Sequence, residues 1–215
     1  MEMKGVVIVD YEAGNLTSVQ RALNSLNIKS EITSNPTHIL EAERIIFPGV
    51  GAAGKAMQVL RNSGIDKALK AAFVRGTPIL GICLGTQIIM ERSEENDTEC
   101  LGIVPGEVKR FPEDLKDQYG QKLKVPHMGW NRVILRKKHP IFDGIDPEHE
   151  FYFVHSYYPC PYQAEHIIGE TEYGIVFCSV VGKENLVAVQ FHPEKSGRPG
   201  LRLLQNFCNW DGSYA

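Results

Sequence analysis

No apolar stretch in this sequence approaches the length of a membrane span, and the short run Val6–Val9, closed by Asp10, is too brief for the hydrophobic region of a secretory leader. The expected location is cytoplasmic, away from the membrane. Basic residues are not in excess either: 23 Lys and Arg stand against 26 Asp and Glu, for a formal net charge of -3. Without a basic stripe there is nothing to neutralise phosphates, so nucleic acid is set aside as a partner. Cysteine is sparse. The five, at positions 83, 100, 160, 178 and 208, are odd in number and form no C-x-x-C pair, which leaves no zinc or redox-dithiol spacing and fits a reducing compartment. Repeats, low-complexity tracts and Pro-, Gly- or Ser-rich linkers are also missing. With 43% hydrophobic residues the chain can build one large core, so residues 1–215 read as a single domain.

What is present alternates. Val6–Val9 is a β-branched run of the kind buried on both faces, followed by turn residues 11–15 and by Leu16, Val19, Leu23 and Leu26 at helical spacing, with Asn15 as the expected N-cap. A strand is expected at 31–33, a weak helix after Pro36, a strand at 44–47 running into the glycine-rich turn 48–51, helices at 52–60 and 65–74, and a buried strand at 78–82. This alternation predicts an α/β fold with a parallel sheet covered by helices on both faces. After residue 91 strand-like runs dominate, at 106–111, 131–135, 150–157, 173–181 and 186–191, and much of this half is expected to be antiparallel. A final helix is expected at 201–208 with Pro199 in its first turn. The polar stretch 91–99 reads as a solvated loop.

Gly81-Ile82-Cys83-Leu84-Gly85 has the form of a strand-to-helix elbow, where flanking glycines permit a sharp bend that lifts the central side chain above the sheet. Helical sequence at 84–90 puts the Cys83 sulfur at a helix N-terminus, a setting that favours an anion. The plain alternative is a packed core cysteine. Glycines on both sides add no packing and speak for a backbone constraint; the other four cysteines keep the core reading. A cysteine nucleophile needs a base, and His192, at the end of the run 186–191, stands where parallel sheets collect their active-site residues. Glu194, two residues on, is suited to orient its ring. His38, His139, His149 and His166 lie in polar sequence and read as solvent-facing, whereas His127 and His155 are candidates for the wall of the site.

These segments carry a family likeness. Gly81-Ile82-Cys83-Leu84-Gly85-Thr86-Gln87 with His192-Pro193-Glu194 resembles the class I (triad) glutamine amidotransferases. Residues 10–16, Phe47-Pro48-Gly49-Val50-Gly51, Pro126-His127-Met128-Gly129-Trp130-Asn131 and His192-Pro193-Glu194-Lys195-Ser196 narrow the resemblance to the glutaminase subunits of imidazole glycerol phosphate synthase. The resemblance implies the class I amidotransferase fold, a central mostly parallel sheet flanked by helices with an additional antiparallel sheet. It implies glutamine as substrate, Cys83, His192 and Glu194 as catalytic residues, and Val50 and Leu84 as oxyanion-hole donors. Gly51, Gln87, Ser156 and Tyr157 match substrate-binding positions. Asn15, Met128, Trp130 and Lys195 match positions facing a (β/α)8 cyclase subunit, with core burial as the alternative for Trp130. No metal or organic cofactor is implied. Competing readings are a non-catalytic docking subunit, a cysteine peptidase or γ-glutamyl hydrolase on the same architecture, and an amidotransferase subunit of another synthase.

Overall fold

The computed structural model describes residues 5–213. Its first part winds β1 (Val6–Val9), α1 (Leu16–Ser25), β2 (Ser30–Thr33), α2 (Pro36–Glu41), β3 (Arg44–Gly49), α3 (Ala53–Ser63), α4 (Ile65–Val74), β4 (Ile79–Cys83) and α5 (Leu84–Ile88). The strands β2, β1, β3 and β4 pair in parallel in that order. Because successive side chains leave a strand on opposite faces, Val7 and Val9 enter one core with Phe47 and helices α2 to α5, while Val6 and Ile8 enter the other with α1 and the C-terminal helix. Covering both faces is what demands the uninterrupted apolar run in β1, all four residues of which are buried.

The second part comprises β5 (Arg92–Ser93), β6 (Thr98–Glu99), β7 (Gly106–Arg110), β8 (His127–Arg132), β9 (Ile134–Leu135), β10 (Glu150–His155), β11 (Tyr157–Pro161), β12 (Ile167–Tyr173), β13 (Ile175–Lys183), β14 (Leu186–Val189) and α6 (Gly197–Asn209). β14 returns to the parallel sheet beside β4, and β13, β12 and β9 extend that sheet antiparallel to eight strands. Two smaller sheets complete this half, antiparallel β10–β8 and β11–β7–β5–β6, which is antiparallel except that β5 runs parallel to β7. The expected additional sheet is therefore two sheets, and part of the antiparallel half continues the central one.

Several local expectations need correction. The stretch 91–99 is a small hairpin, β5 and β6 joined by a 3-10 turn, in which Ser93 is buried and Glu95 accepts the Ala53 N–H at 2.6 Å. The strand expected at 150–157 is two strands broken at Ser156, because β10 and β11 belong to different sheets. β12 escaped a polarity-based reading: Gly169, Glu170, Thr171 and Glu172 interrupt its apolar pattern, although Thr171 is satisfied internally by Ser179 and the Arg132 carbonyl. His139 and His166 are buried, not solvent-facing. His139 packs edge-on against Trp210 with ring centroids 4.9 Å apart, and His166 donates from Nδ1 to the Gly182 carbonyl at 3.1 Å. Among the described residues no helix is long and apolar enough to cross a membrane.

Candidate active site

β4 and β14 are neighbouring parallel strands, in register from Leu186 opposite Ile79 to Val189 opposite Ile82, so the residues beyond their C-terminal ends meet at one edge of the sheet. Cys83 closes β4 and His192 lies just past β14. The bend sits at the cysteine itself, whose φ of 54° and ψ of -105° place a non-glycine residue in a strained region. The flanking glycines serve a different purpose from the one expected. Neither has positive φ; instead a Cβ on Gly81 would lie 2.8 Å from the Ala188 Cβ, and one on Gly85 would lie 1.9 Å from the Phe47 carbonyl oxygen. They are glycines so that β14 and β3 can close around the elbow.

The sequence-predicted residues 83, 192 and 194 come together. Cys83 is 6% exposed and His192 fully buried. His192 Nδ1 donates to Glu194 Oε1 at 2.8 Å, and both side chains are withdrawn from water. The buried Nε2 is left without a hydrogen-bond partner, and Cys83 is close enough to act on the ring's charge. Burial pulls the His192 pKa down, but Cys83 and then Glu194 outweigh it and raise it to about 10. Glu194 Oε1 takes a second donor, Asn15 Nδ2, at 2.5 Å. This corrects the capping role expected of Asn15: it adopts the left-handed conformation, makes no side-chain cap on α1, and spends its amide on Glu194. Ser196 ties the turn down, donating to the His192 carbonyl at 2.6 Å and accepting from the Tyr152 N–H at 3.0 Å.

Gln190 is a residue that sequence reasoning passed over. Fully buried, it donates from Nε2 to Cys83 Sγ at 3.7 Å and accepts from Gln87 Nε2 at 3.2 Å. The signal was available, since a glutamine inside the apolar run 186–191 must find partners or destabilise the core. Gln87 gives its other amide hydrogen to the Tyr157 carbonyl at 3.0 Å, which leaves only its Oε1 for a ligand. Ser156 and Tyr157 are fixed through their backbones: the Ser156 carbonyl accepts from Phe111, and the Tyr157 carbonyl also accepts from His155 Nδ1 at 2.8 Å.

With its Nδ1 donating, neutral His155 accepts at Nε2 from His127 Nδ1 at 3.0 Å, and His127 Nε2 then faces the Asn131 amide at 3.4 Å. Burial lowers the His127 pKa to about 4; burial and then His127 lower that of His155 to about 3. The pair is a neutral wall beside the site.

The two expected oxyanion donors differ. Leu84 opens α5, so its N–H has no acceptor within the helix. The Val50 N–H donates to the Ala13 carbonyl at 2.7 Å and is thereby turned away from any ligand. Gly51, next in the turn, is exposed with φ 107°. Met128 and Trp130 project from the same face of β8 and are 62% and 53% exposed, which overturns a core role for Trp130. Trp130 meets the Tyr152 ring at 5.9 Å and exposed Lys195 reaches to 6.0 Å from that ring, while the Tyr152 carbonyl accepts the His192 N–H at 2.9 Å. An open aromatic patch thus backs directly onto the buried histidine. A cavity of about 860 Å³ lined by Asn131, Arg132, Phe151 and Tyr173 lies elsewhere and contains none of residues 83, 192 and 194. Among the described residues no three His, Cys, Asp or Glu side chains cluster to hold a metal.

Comparisons with known proteins point to one family. The family profile described as glutamine amidotransferase class-I matches residues 7–210. A protein of Maridesulfovibrio salexigens named imidazole glycerol phosphate synthase subunit HisH is 55% identical over 205 residues, covering 95% of this chain and 96% of that one. Proteins of the same name from Dehalococcoides mccartyi (48% identity, 94% of this chain and 95% of that one) and Thiobacillus denitrificans (47%, 96% and 91%) are similar too. Among solved structures, a glutamine amidotransferase superimposes with a TM-score of 0.70 at 20% identity, covering 97% of this chain and all of that one. PurLQS from Thermotoga maritima gives 0.68 at 19%, covering 95% and 97%. At such identities the structural likeness speaks for the fold alone. By its profile match and by relatives that share about half its residues over nearly its whole length, the chain belongs to the class I glutamine amidotransferase family of enzymes, among the HisH subunits of imidazole glycerol phosphate synthase.

Proposed function

We propose that this chain is one glutaminase domain that hydrolyses glutamine to glutamate and passes the ammonia to a (β/α)8 cyclase subunit, which uses it to make imidazole glycerol phosphate and AICAR in histidine biosynthesis. The observation that carries the reading is the convergence of the strained Cys83 elbow with a buried, doubly anchored His192. With Glu194 on Nδ1, the His192 ring is held ready to take the proton of the Cys83 thiol on Nε2. The sulfur attacks the side-chain amide carbon of glutamine, forming a C–S bond and a tetrahedral oxyanion. His192 Nε2 gives its proton to the amide nitrogen, the C–N bond breaks, and ammonia leaves. Water then adds to the thioester while His192 takes up a proton, and collapse releases glutamate and the free cysteine.

Glu194 holds the ring tautomer and balances its charge, and Asn15 holds Glu194. Gln190 positions the sulfur, and Gln87, Gly51, Ser156 and Tyr157 border the amino-acid end of the substrate. Leu84 supplies one oxyanion donor and Val50 the second, once its N–H leaves Ala13. The bond to Ala13 and the burial of Cys83 support a low basal rate, with docking at Met128, Trp130 and Lys195, beside Asn15, as the activating event. The reading does not involve metal or organic cofactors.

The test is a glutaminase assay on the chain alone and with the cyclase and its nucleotide ligand. The expected result is weak turnover alone and strong turnover in the complex. Full turnover by the isolated chain would contradict activation by the partner, and no turnover in either state would contradict the enzyme reading.

A further inference from the structure

Tyr11 follows β1 and is 2% exposed, its ring packed on Phe47 with centroids 4.9 Å apart. Its hydroxyl is out of keeping with that setting, being buried without a hydrogen-bond partner. A buried, unpaired hydroxyl costs free energy that phenylalanine in the same space would not. Its surroundings suggest what offsets the cost. The Tyr11 Oη lies 1.9 Å from where a Cβ on Gly49 would stand, and the Ala13 Cβ lies 3.3 Å from the same point, so the hydroxyl and Ala13 flank Gly49 on one side. Gly49 in turn pairs with Cys83 across β3 and β4. Burial, and then Cys83, raise the hydroxyl's pKa well above its ordinary value, so it remains a neutral donor.

The Gly49 carbonyl and the Val50 N–H belong to one planar peptide and point in opposite directions. With the N–H given to the Ala13 carbonyl, the Gly49 oxygen points away from Ala13. Turning the Val50 N–H into the site swings the Gly49 oxygen to the Ala13 side, where it meets another carbonyl that has just lost its donor. Two carbonyl oxygens would then share a space with no N–H between them. The Tyr11 hydroxyl, a donor without a partner, flanks Gly49 on the Ala13 side.

We infer that Tyr11 is a positioning residue: its hydroxyl donates to the Gly49 carbonyl in the turned state and so holds the Val50 N–H toward the oxyanion. This rests on the glutaminase reading above. The test is Tyr11→Phe, assayed in the complex with the cyclase. The kcat for glutamine is expected to fall on the order of 10-fold, less than the ~100-fold or more that follows loss of an oxyanion donor itself. KM should be unchanged. The affinity for glutamate γ-semialdehyde, which forms a tetrahedral adduct on the sulfur, should fall by the same factor as kcat. Ammonia-dependent synthesis should be unaffected, and the melting temperature of the free chain should not fall, because the hydroxyl has no partner there to lose. Unchanged kcat in Tyr11→Phe, with an active wild-type complex, overturns the role of Tyr11 alone. A fall in kcat accompanied by a lower melting temperature reduces Tyr11 to a structural residue. A wild-type complex without glutaminase activity overturns the reading of the whole site and this role with it.

Discussion

His192 and the His127–His155 pair are both shut away from water in the same half of the molecule, yet their proton affinities move in opposite directions. Burial penalises the imidazolium in each case. At His192 the penalty is overcome by Cys83 on one side and the Glu194 carboxylate on the other; at the pair, the neighbours are a carbonyl, an amide, aromatic rings and another histidine, and the penalty stands. The difference teaches that seclusion alone makes a histidine inert. A charged partner, itself held in place, raises its proton affinity.

Breaking the charged side of the comparison has the largest expected effect. Cys83→Ala should abolish glutamine hydrolysis, a loss on the order of 10⁴-fold or more, while ammonia-dependent synthesis in the complex persists; losing both would mean that the cysteine is structural. Glu194→Gln keeps the shape and removes the charge, and should reduce kcat by roughly 10³- to 10⁴-fold. In the same variant the His192 ring, followed by NMR, should titrate lower, towards the behaviour of His155. Asn15→Ala removes one donor to the carboxylate, for a loss of about 1.5 kcal/mol or roughly tenfold in kcat/KM.

A last effect is on stability rather than turnover, and its sign separates the two sites. The folded pKa values of His127 and His155 lie below the ordinary 6.5, so the unfolded chain binds the extra protons and stability falls as pH drops from about 6.5 towards 4 and then 3. His192 is shifted upward, so its contribution is fully present below about 6.5 and is lost as pH rises towards about 10. Urea unfolding across this range should show a shallower acid limb for His155→Asn and a shallower alkaline limb for His192→Asn.

Legibility in the sequence followed burial on two faces. The parallel half could be read almost element by element, α4 at Ile65–Val74 included, because continuous apolar runs and helical spacing leave few alternatives. In the antiparallel half, strands buried on one face carry polar residues, so β12 and the first residues of β8 passed unnoticed, as did the hairpin at 91–99. Within the candidate site, the convergence of Cys83, His192 and Glu194 was legible from the elbow and from strand-end position. Their supporting partners were not. Asn15 reaches Glu194 across the fold, and Gln190 reaches Cys83 from the adjacent strand, contacts that no local pattern encodes. The Val50 N–H was expected in the oxyanion site, but its direction depends on a carbonyl from the first loop.

The most direct test of the central claim is a quenched-reaction mass measurement on the complex during glutamine turnover. A γ-glutamyl group is expected on the peptide containing Cys83, absent in Cys83→Ala and accumulating when hydrolysis of the thioester is slowed. Glutamate released at the wild-type rate by Cys83→Ala, with no adduct on the wild-type sulfur, would contradict it.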